Sequence, residues 1–256
     1  MSAKTENKKT SRIPIITILG HVDHGKTTIL DKIRSSNVQE KEAGGITQKI
    51  SVFTINIDNQ VVPQLSFVDT PGHEAFDLMR KRGGDIADMV LLVIAADDGI
   101  KPQTEESIGI IKSSKAKPIV VLNKVDLPNV DVEKIKRELS TKGIQVEGFG
   151  GDVPVVEVSG KTGQGIDTLL ETIGLLIEVE GLQGQDTVSD NVNAKAYVLE
   201  SIKDQSKGYV STIIVTSGAM STGEMLLPLT LKDTPFPSFF NFSLLMSFSR
   251  SSLTSS

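Results

Sequence analysis

Residues 20–28, Gly20-His21-Val22-Asp23-His24-Gly25-Lys26-Thr27-Thr28, satisfy the spacing G-x-x-x-x-G-K-[ST] between an apolar run and a helix-patterned segment. The chemistry on offer is phosphate capture. Glycines let backbone N–H groups converge on phosphate oxygens, and a helix N-terminus adds favourable partial charge. Lys26 is expected to reach the β- and γ-phosphates, and the Thr27 hydroxyl to ligate Mg²⁺. Asn123-Lys124-Val125-Asp126 follows a later apolar run. A carboxylate at Asp126 can accept two guanine donors that adenine does not offer, and a site built to bond both discriminates strongly. Ser159-Gly160-Lys161 follows the next run, where backbone N–H groups can close over the base. Gly160-Lys161-Thr162 also mimics the end of a second phosphate loop, but Val155 stands where that motif requires glycine.

Two further stretches suit a γ-phosphate sensor. Asp69, in the stretch DTPGHEAF, ends a short apolar run as the expected second-shell or water-mediated Mg²⁺ partner. The Gly72 N–H then faces a γ-phosphate, and His73 comes next. Thr47 lies in the Gly-rich stretch EAGGITQKI, the place for a loop ordered by γ-phosphate and Mg²⁺ and released on hydrolysis. The chain has three histidines, and all of them fall inside these motifs. A zinc site built from His21, His24 and His73 is therefore the weaker reading, with no carboxylate at a known zinc spacing.

The elements that must carry these residues are legible from hydrophobic period. Strands are predicted over 13–19, 50–57, 65–68, 89–95, 118–122 and 153–158. The runs at 89–95 and 118–122 are continuously apolar, as in strands covered on both faces. Helical periods appear over 26–34, 103–113, 132–142 and 166–178, with a short helix expected at 74–82. The alternation argues for an α/β domain with a mostly parallel sheet wrapped on both faces. A polar linker over 181–192 precedes β-rich runs at 194–202 and 209–216, which look like the first hairpins of an all-β domain. The expected organisation is a disordered tail 1–12, a nucleotide domain 13–180, the linker, the start of a barrel over 193–230, and an atypical Phe/Ser-rich tail 231–256.

Composition bounds the rest. There is no cysteine, so disulfides and thiolate metal sites are excluded. A net charge of −5 does not favour nucleic acid as a partner of the whole chain, and only the segment around Lys4, Lys8, Lys9 and Arg12 is locally basic. No signal-peptide run and no stretch of about 18 apolar residues is present. The expectation is a cytoplasmic or organellar protein with neither membrane nor DNA as a partner.

Together GHVDHGKTT, AGGITQ, DTPGHEAF, RGGDIADMVLLVIAADDGIKPQTEE and NKVD resemble the GTPase domain of the bacterial-type translation initiation factor two family, over about residues 13–178. Residues 193–227 resemble the start of that family's β-barrel domain. The resemblance implies the P-loop GTPase fold, with a mostly parallel six-stranded sheet followed by a partial barrel. It implies GTP, GDP and Mg²⁺ as ligands, a monovalent cation near Asp23, and the ribosome as partner. His73 corresponds to the histidine that orients the attacking water, and Val22 and Ile46 to the hydrophobic gate that restrains it. Gly160 stands where that family usually carries alanine, a change expected to matter little. Initiator tRNA binding belongs to domains that the resemblance does not reach. The main expectation is ribosome-triggered GTP hydrolysis during initiation. The alternative is a truncated guanine-nucleotide-binding module without productive stimulated turnover, which the unusual tail motivates.

Overall fold

The computed structural model describes residues 13–37, 51–59, 63–69, 86–182, 194–204 and 208–218. Thr47, Gly72, His73, Ile46, the helix expected at 74–82 and the tails 1–12 and 231–256 lie outside the described residues. The chain divides into two compact units, Met1–Gln185 and Asp186–Ser256.

The described residues of the first unit hold six strands: β1 Ile15–Gly20, β2 Ser51–Asn56, β3 Gln64–Asp69, β4 Met89–Ala95, β5 Lys117–Asn123 and β6 Val155–Glu157. Their order across the sheet is β2-β3-β1-β4-β5-β6. β1 pairs in parallel with β3 and β4, and β5 pairs in parallel with β4 and β6. β2 runs antiparallel to β3 and forms the one reversed edge. Among the described residues four helices accompany the strands: α1 Lys26–Asn37, α2 Pro102–Ser113, α3 Val132–Thr141 and α4 Ile166–Val179.

Alternation of side chains distributes the core over both faces. Ile16, Ile18, Leu91, Val93, Ile119 and Val121 join Ile29 and Ile33 of α1 and Leu169, Ile173 and Ile177 of α4 in one buried cluster. Residues of the other parity, including Val90, Leu92, Val120 and Leu122, are equally buried. α2 packs against β1 and β4. Two-sided burial is why β4 and β5 read as unbroken apolar runs. In α3, Ile135 and Leu139 are one turn apart and buried, each contributing roughly 1.5–3 kcal/mol of apolar burial. The Asp131 side chain caps that helix by accepting the Lys134 N–H at 2.9 Å.

The parallel strands end together, so Gly20, Asp69, Ala95, Asn123 and Glu157 terminate at one edge of the sheet. The chain leaves β1 towards β3 and then crosses β1 to continue through β4, β5 and β6. β1 is therefore the topological switch point, where open α/β sheets bind ligands.

The second unit is described as an antiparallel hairpin of β7 Ala194–Asp204 and β8 Gly208–Gly218. Register shifts lie between Lys195 and Ala196 and between Val198 and Glu200. Such bulges increase local twist.

Candidate nucleotide-binding site

The loop after β1 is shaped by two glycines. Gly20 has φ +142°, and a Cβ there would stand 2.2 Å from the Val93 carbonyl oxygen. After the 3₁₀ turn Val22–His24, Gly25 adopts φ +80°, and a Cβ there would meet Asn123 Nδ2 at 2.4 Å. α1 begins at the next residue, and its first hydrogen bond is Ile29 N–H to the Gly25 carbonyl at 3.1 Å. Among the described residues, the N–H groups of Gly25, Lys26, Thr27 and Thr28 therefore have no backbone acceptor. Four donors at a helix N-terminus form an anion cradle.

Lys26 turns back on its own loop. Its Nζ donates to the carbonyls of Gly20 at 2.8 Å and His21 at 2.7 Å. Burial pushes its pKa down, while Asp69 and then Asp23 push it up. A partly desolvated ammonium held by neutral carbonyls is poised to take an anionic partner. Asp69, at the end of β3, shows the mirror effect. Burial pushes its carboxyl up, and Lys26 and Arg34 oppose the shift. The exposed Thr27 hydroxyl and this carboxylate are hard oxygen donors, and the set fits Mg²⁺ completed by phosphate oxygens and water. Among the described residues no three His, Asp or Glu side chains gather to hold a metal without them.

Beside the phosphate loop is a cleft of about 200 Å³ lined by Gly25, Thr28, Asn123, Lys124, Asp126, Leu127, Ser159 and Lys161, the place expected for a base. Lys124 carries a left-handed φ of 64°, uncommon for a side chain with Cβ, and its Nζ lies 3.4 Å from the Asp97 carboxylate. The loop over the cleft is held by its own hydrogen bonds. Ser159 N–H donates to the Gln164 carbonyl at 2.9 Å, and Ser159 Oγ accepts the Thr162 N–H at 3.1 Å. Gly160 N–H donates to Asn123 Oδ1 at 2.9 Å. The structure thus narrows the expectation that the backbone of all three residues serves the base. Two of the three N–H groups are already bonded within the protein, leaving that of Lys161. Gly160 is also close-packed, since a Cβ would stand 3.2 Å from Ile29 N and from Thr28 Cγ2.

Two contacts were not foreseen from the motifs. Asn123 is only 3% exposed, and besides accepting from Gly160 it donates Nδ2 to the His24 carbonyl at 2.8 Å. One side chain thus ties the phosphate loop to the loop over the base, 99 and 37 residues away in sequence. The signal was in the motif, where a carboxamide can donate to one loop and accept from another. The other contact is Gln103, on the first turn of α2, whose side chain reaches His21 and Val22. A glutamine 82 residues away in the sequence carried no such signal.

His24 is fully buried, its Nδ1 3.2 Å from the Val93 carbonyl and its Nε2 3.6 Å from Asp98 Oδ2, beyond a hydrogen bond. Burial is the largest influence on it and pushes its pKa below the ordinary 6.5. The neutral ring donates Nδ1–H to the carbonyl. Because the unfolded chain takes up this proton first, stability is expected to fall as pH drops below about 6.5. Asp98 shifts down, chiefly through its bond to Lys101, so its own contribution is lost only below the ordinary carboxylate value of 3.8. Urea denaturation of the nucleotide-free protein between pH 7 and 5 checks the first window. His24→Asn is expected to flatten that pH dependence, and an unchanged slope would show that His24 does not titrate on unfolding.

An anion cradle and an adjoining cleft, braced together at the switch point of a parallel sheet, place this protein among the P-loop nucleotide-binding domains. The family profile described as "Elongation factor Tu GTP binding domain" matches residues 11–179, and the chain belongs to that family. Translation initiation factor IF-2 of Thermus thermophilus is 45% identical over 227 residues, covering 88% of this chain and 38% of that protein. The chloroplastic translation initiation factor IF-2 of Rhodomonas salina is 46% identical over 216 residues, covering 84% of this chain and 28% of that protein. The chain thus spans well under half the length of these curated relatives. GDP-bound aIF5B from Aeropyrum pernix superposes with a TM-score of 0.67 at 33% identity, covering 81% of this chain and 42% of the other.

Proposed function

We propose that the chain binds GTP and GDP with Mg²⁺ and hydrolyses GTP to GDP and phosphate when docked on a ribosome, as part of translation initiation. The observation that carries the reading is Asn123, which holds the phosphate cradle and the loop beside Asp126 in one rigid frame. The names of the relatives support the assignment to initiation, and one is chloroplastic, so the cytoplasm and an organelle both suit it. No helix among the described residues is long and apolar enough to cross a membrane.

In-line attack of water on a γ-phosphate asks a protein mainly for positioning and charge neutralisation. The N–H groups of Gly25 through Thr28 and the Lys26 ammonium hold the phosphates. Thr27, Asp69 and Thr47 would hold Mg²⁺, which supplies charge neutralisation at the β- and γ-oxygens. Gly72 N–H would meet the γ-phosphate, and His73 would orient the water. Val22 is 69% exposed on the phosphate loop, available to cover His73 together with Ile46 until docking. Asp126 reads the guanine edge while Lys124, Ser159, Gly160 and Lys161 frame it.

Multiple-turnover phosphate release with and without ribosomes tests the reading, alongside binding of fluorescent GDP. Binding in the micromolar range or tighter with clear ribosome stimulation is expected. Binding without stimulation would reduce the protein to a nucleotide-binding module, and no binding would overturn the proposal. His73→Ala is expected to leave the GTP dissociation constant nearly unchanged and lower stimulated hydrolysis by roughly 10²-fold. A large loss of GTP affinity instead would make His73 structural.

A further inference from the structure

The Gln103 carboxamide oxygen lies 3.3 Å from the Val22 backbone N–H and 2.6 Å from His21 Nδ1. A backbone N–H can only donate, so the atom facing both partners is the oxygen and not the amide nitrogen. An oxygen that only accepts then requires a hydrogen on His21 Nδ1, which leaves Nε2 of the neutral ring bare. The contact thus fixes a side-chain flip and a histidine tautomer at once.

Its consequences run into the phosphate loop. The Val22 N–H is turned to α2 and withdrawn from the donors available to a phosphate. The His21 carbonyl is one of the two that hold Lys26 Nζ, so bracing His21 also fixes where the lysine rests. The brace itself stands on a firm base. The Gln103 carbonyl accepts the buried Ser107 hydroxyl at 2.8 Å, buried Thr104 accepts the Lys101 N–H at 3.3 Å, and α2 packs on β1 and β4.

We infer that Gln103 is a positioning residue for the phosphate loop, acting through His21 and Val22 to slow nucleotide release. The inference rests on the nucleotide-binding function proposed above. Gln103→Met keeps the length of the side chain and removes the acceptor, and loss of two hydrogen bonds of ordinary net strength is expected to speed dissociation of both GDP and GTP roughly tenfold. Gln103→Glu keeps an oxygen acceptor and is expected to retain slow release. Stopped-flow dissociation of fluorescent GDP and GTP reads the rates. Nitrogen NMR of the nucleotide-free protein reads the His21 tautomer, which mere loss of packing would not reset: Nδ1–H in the wild type and in Gln103→Glu, and Nε2–H gaining in Gln103→Met.

The wild-type spectrum decides even where a variant fails to fold, because a predominant Nε2–H tautomer at His21 overturns the inference. So does an unchanged release rate in Gln103→Met, or equal acceleration by Met and Glu. Wild-type protein that binds no guanine nucleotide would instead sink the function beneath the inference, with the tautomer still readable.

Discussion

Replacing Asn123 with alanine is expected to damage the fold and the nucleotide site together. The side chain is buried and answers two backbone groups, the His24 carbonyl at 2.8 Å and the Gly160 N–H at 2.9 Å. Alanine leaves both without a partner, and an unsatisfied buried group costs about 1–3 kcal/mol. The pair thus costs roughly 2–6 kcal/mol, a large share of a typical total stability of about 5–15 kcal/mol. Urea denaturation of the nucleotide-free protein should show the midpoint falling sharply. Affinity for GDP should fall as well, by about a hundredfold or more, because the cradle and the base loop lose their common brace. Asn123→Asp separates the two bonds, since it still accepts from Gly160 but cannot donate to His24. A denaturation midpoint equal to that of the wild type, with GDP affinity within threefold, would remove Asn123 from the role of brace.

That residue also marks how far the sequence could be read. Strand and helix positions followed from hydrophobic period because the sheet is covered on both faces, which leaves few ways to arrange β4 and β5. The predicted strand at 89–95 coincides with β4, and the helices at 103–113, 132–142 and 166–178 differ from α2, α3 and α4 by one residue at an end. Periodicity failed where a strand is defined by pairing. The run predicted over 153–158 shrinks to Val155–Glu157, because Val153 instead bridges Val146 outside the sheet ladder. The motifs pointed to candidate site residues, yet they could not say which atoms are already engaged. Ser159 and Gly160 illustrate this, because their N–H groups meet Gln164 and Asn123 rather than a base. Gln103 was illegible for a different reason. Its contact to His21 depends on α2 lying beside the loop, a tertiary fact with no local trace in the sequence.

The counterpart of Asn123 is Asp126, three residues on, where the expected effect falls on ligand choice alone. Asp126 lines the base cleft with an exposed side chain and has no hydrogen bond or ion pair among the described residues. Nothing in the fold depends on its carboxylate, so its two oxygens remain for a ligand. Guanine offers two adjacent donors, N1–H and the exocyclic amine, and one carboxylate can accept both. Asp126→Asn replaces one acceptor with an NH₂ group, which faces the guanine amine donor to donor. Xanthine presents a carbonyl at that position and restores the pairing. Sites that read a polar edge this way discriminate by about 10⁴–10⁵, so the ratio of GTP to XTP affinity is expected to swing by several powers of ten. Competition of each nucleotide against fluorescent GDP measures the ratio, and denaturation of the nucleotide-free variant should match the wild type. An Asp126→Asn protein that still prefers GTP would mean that guanine is recognised by other groups in the cleft. A variant that loses stability as Asn123→Ala does would mean that the carboxylate holds the loop rather than the base.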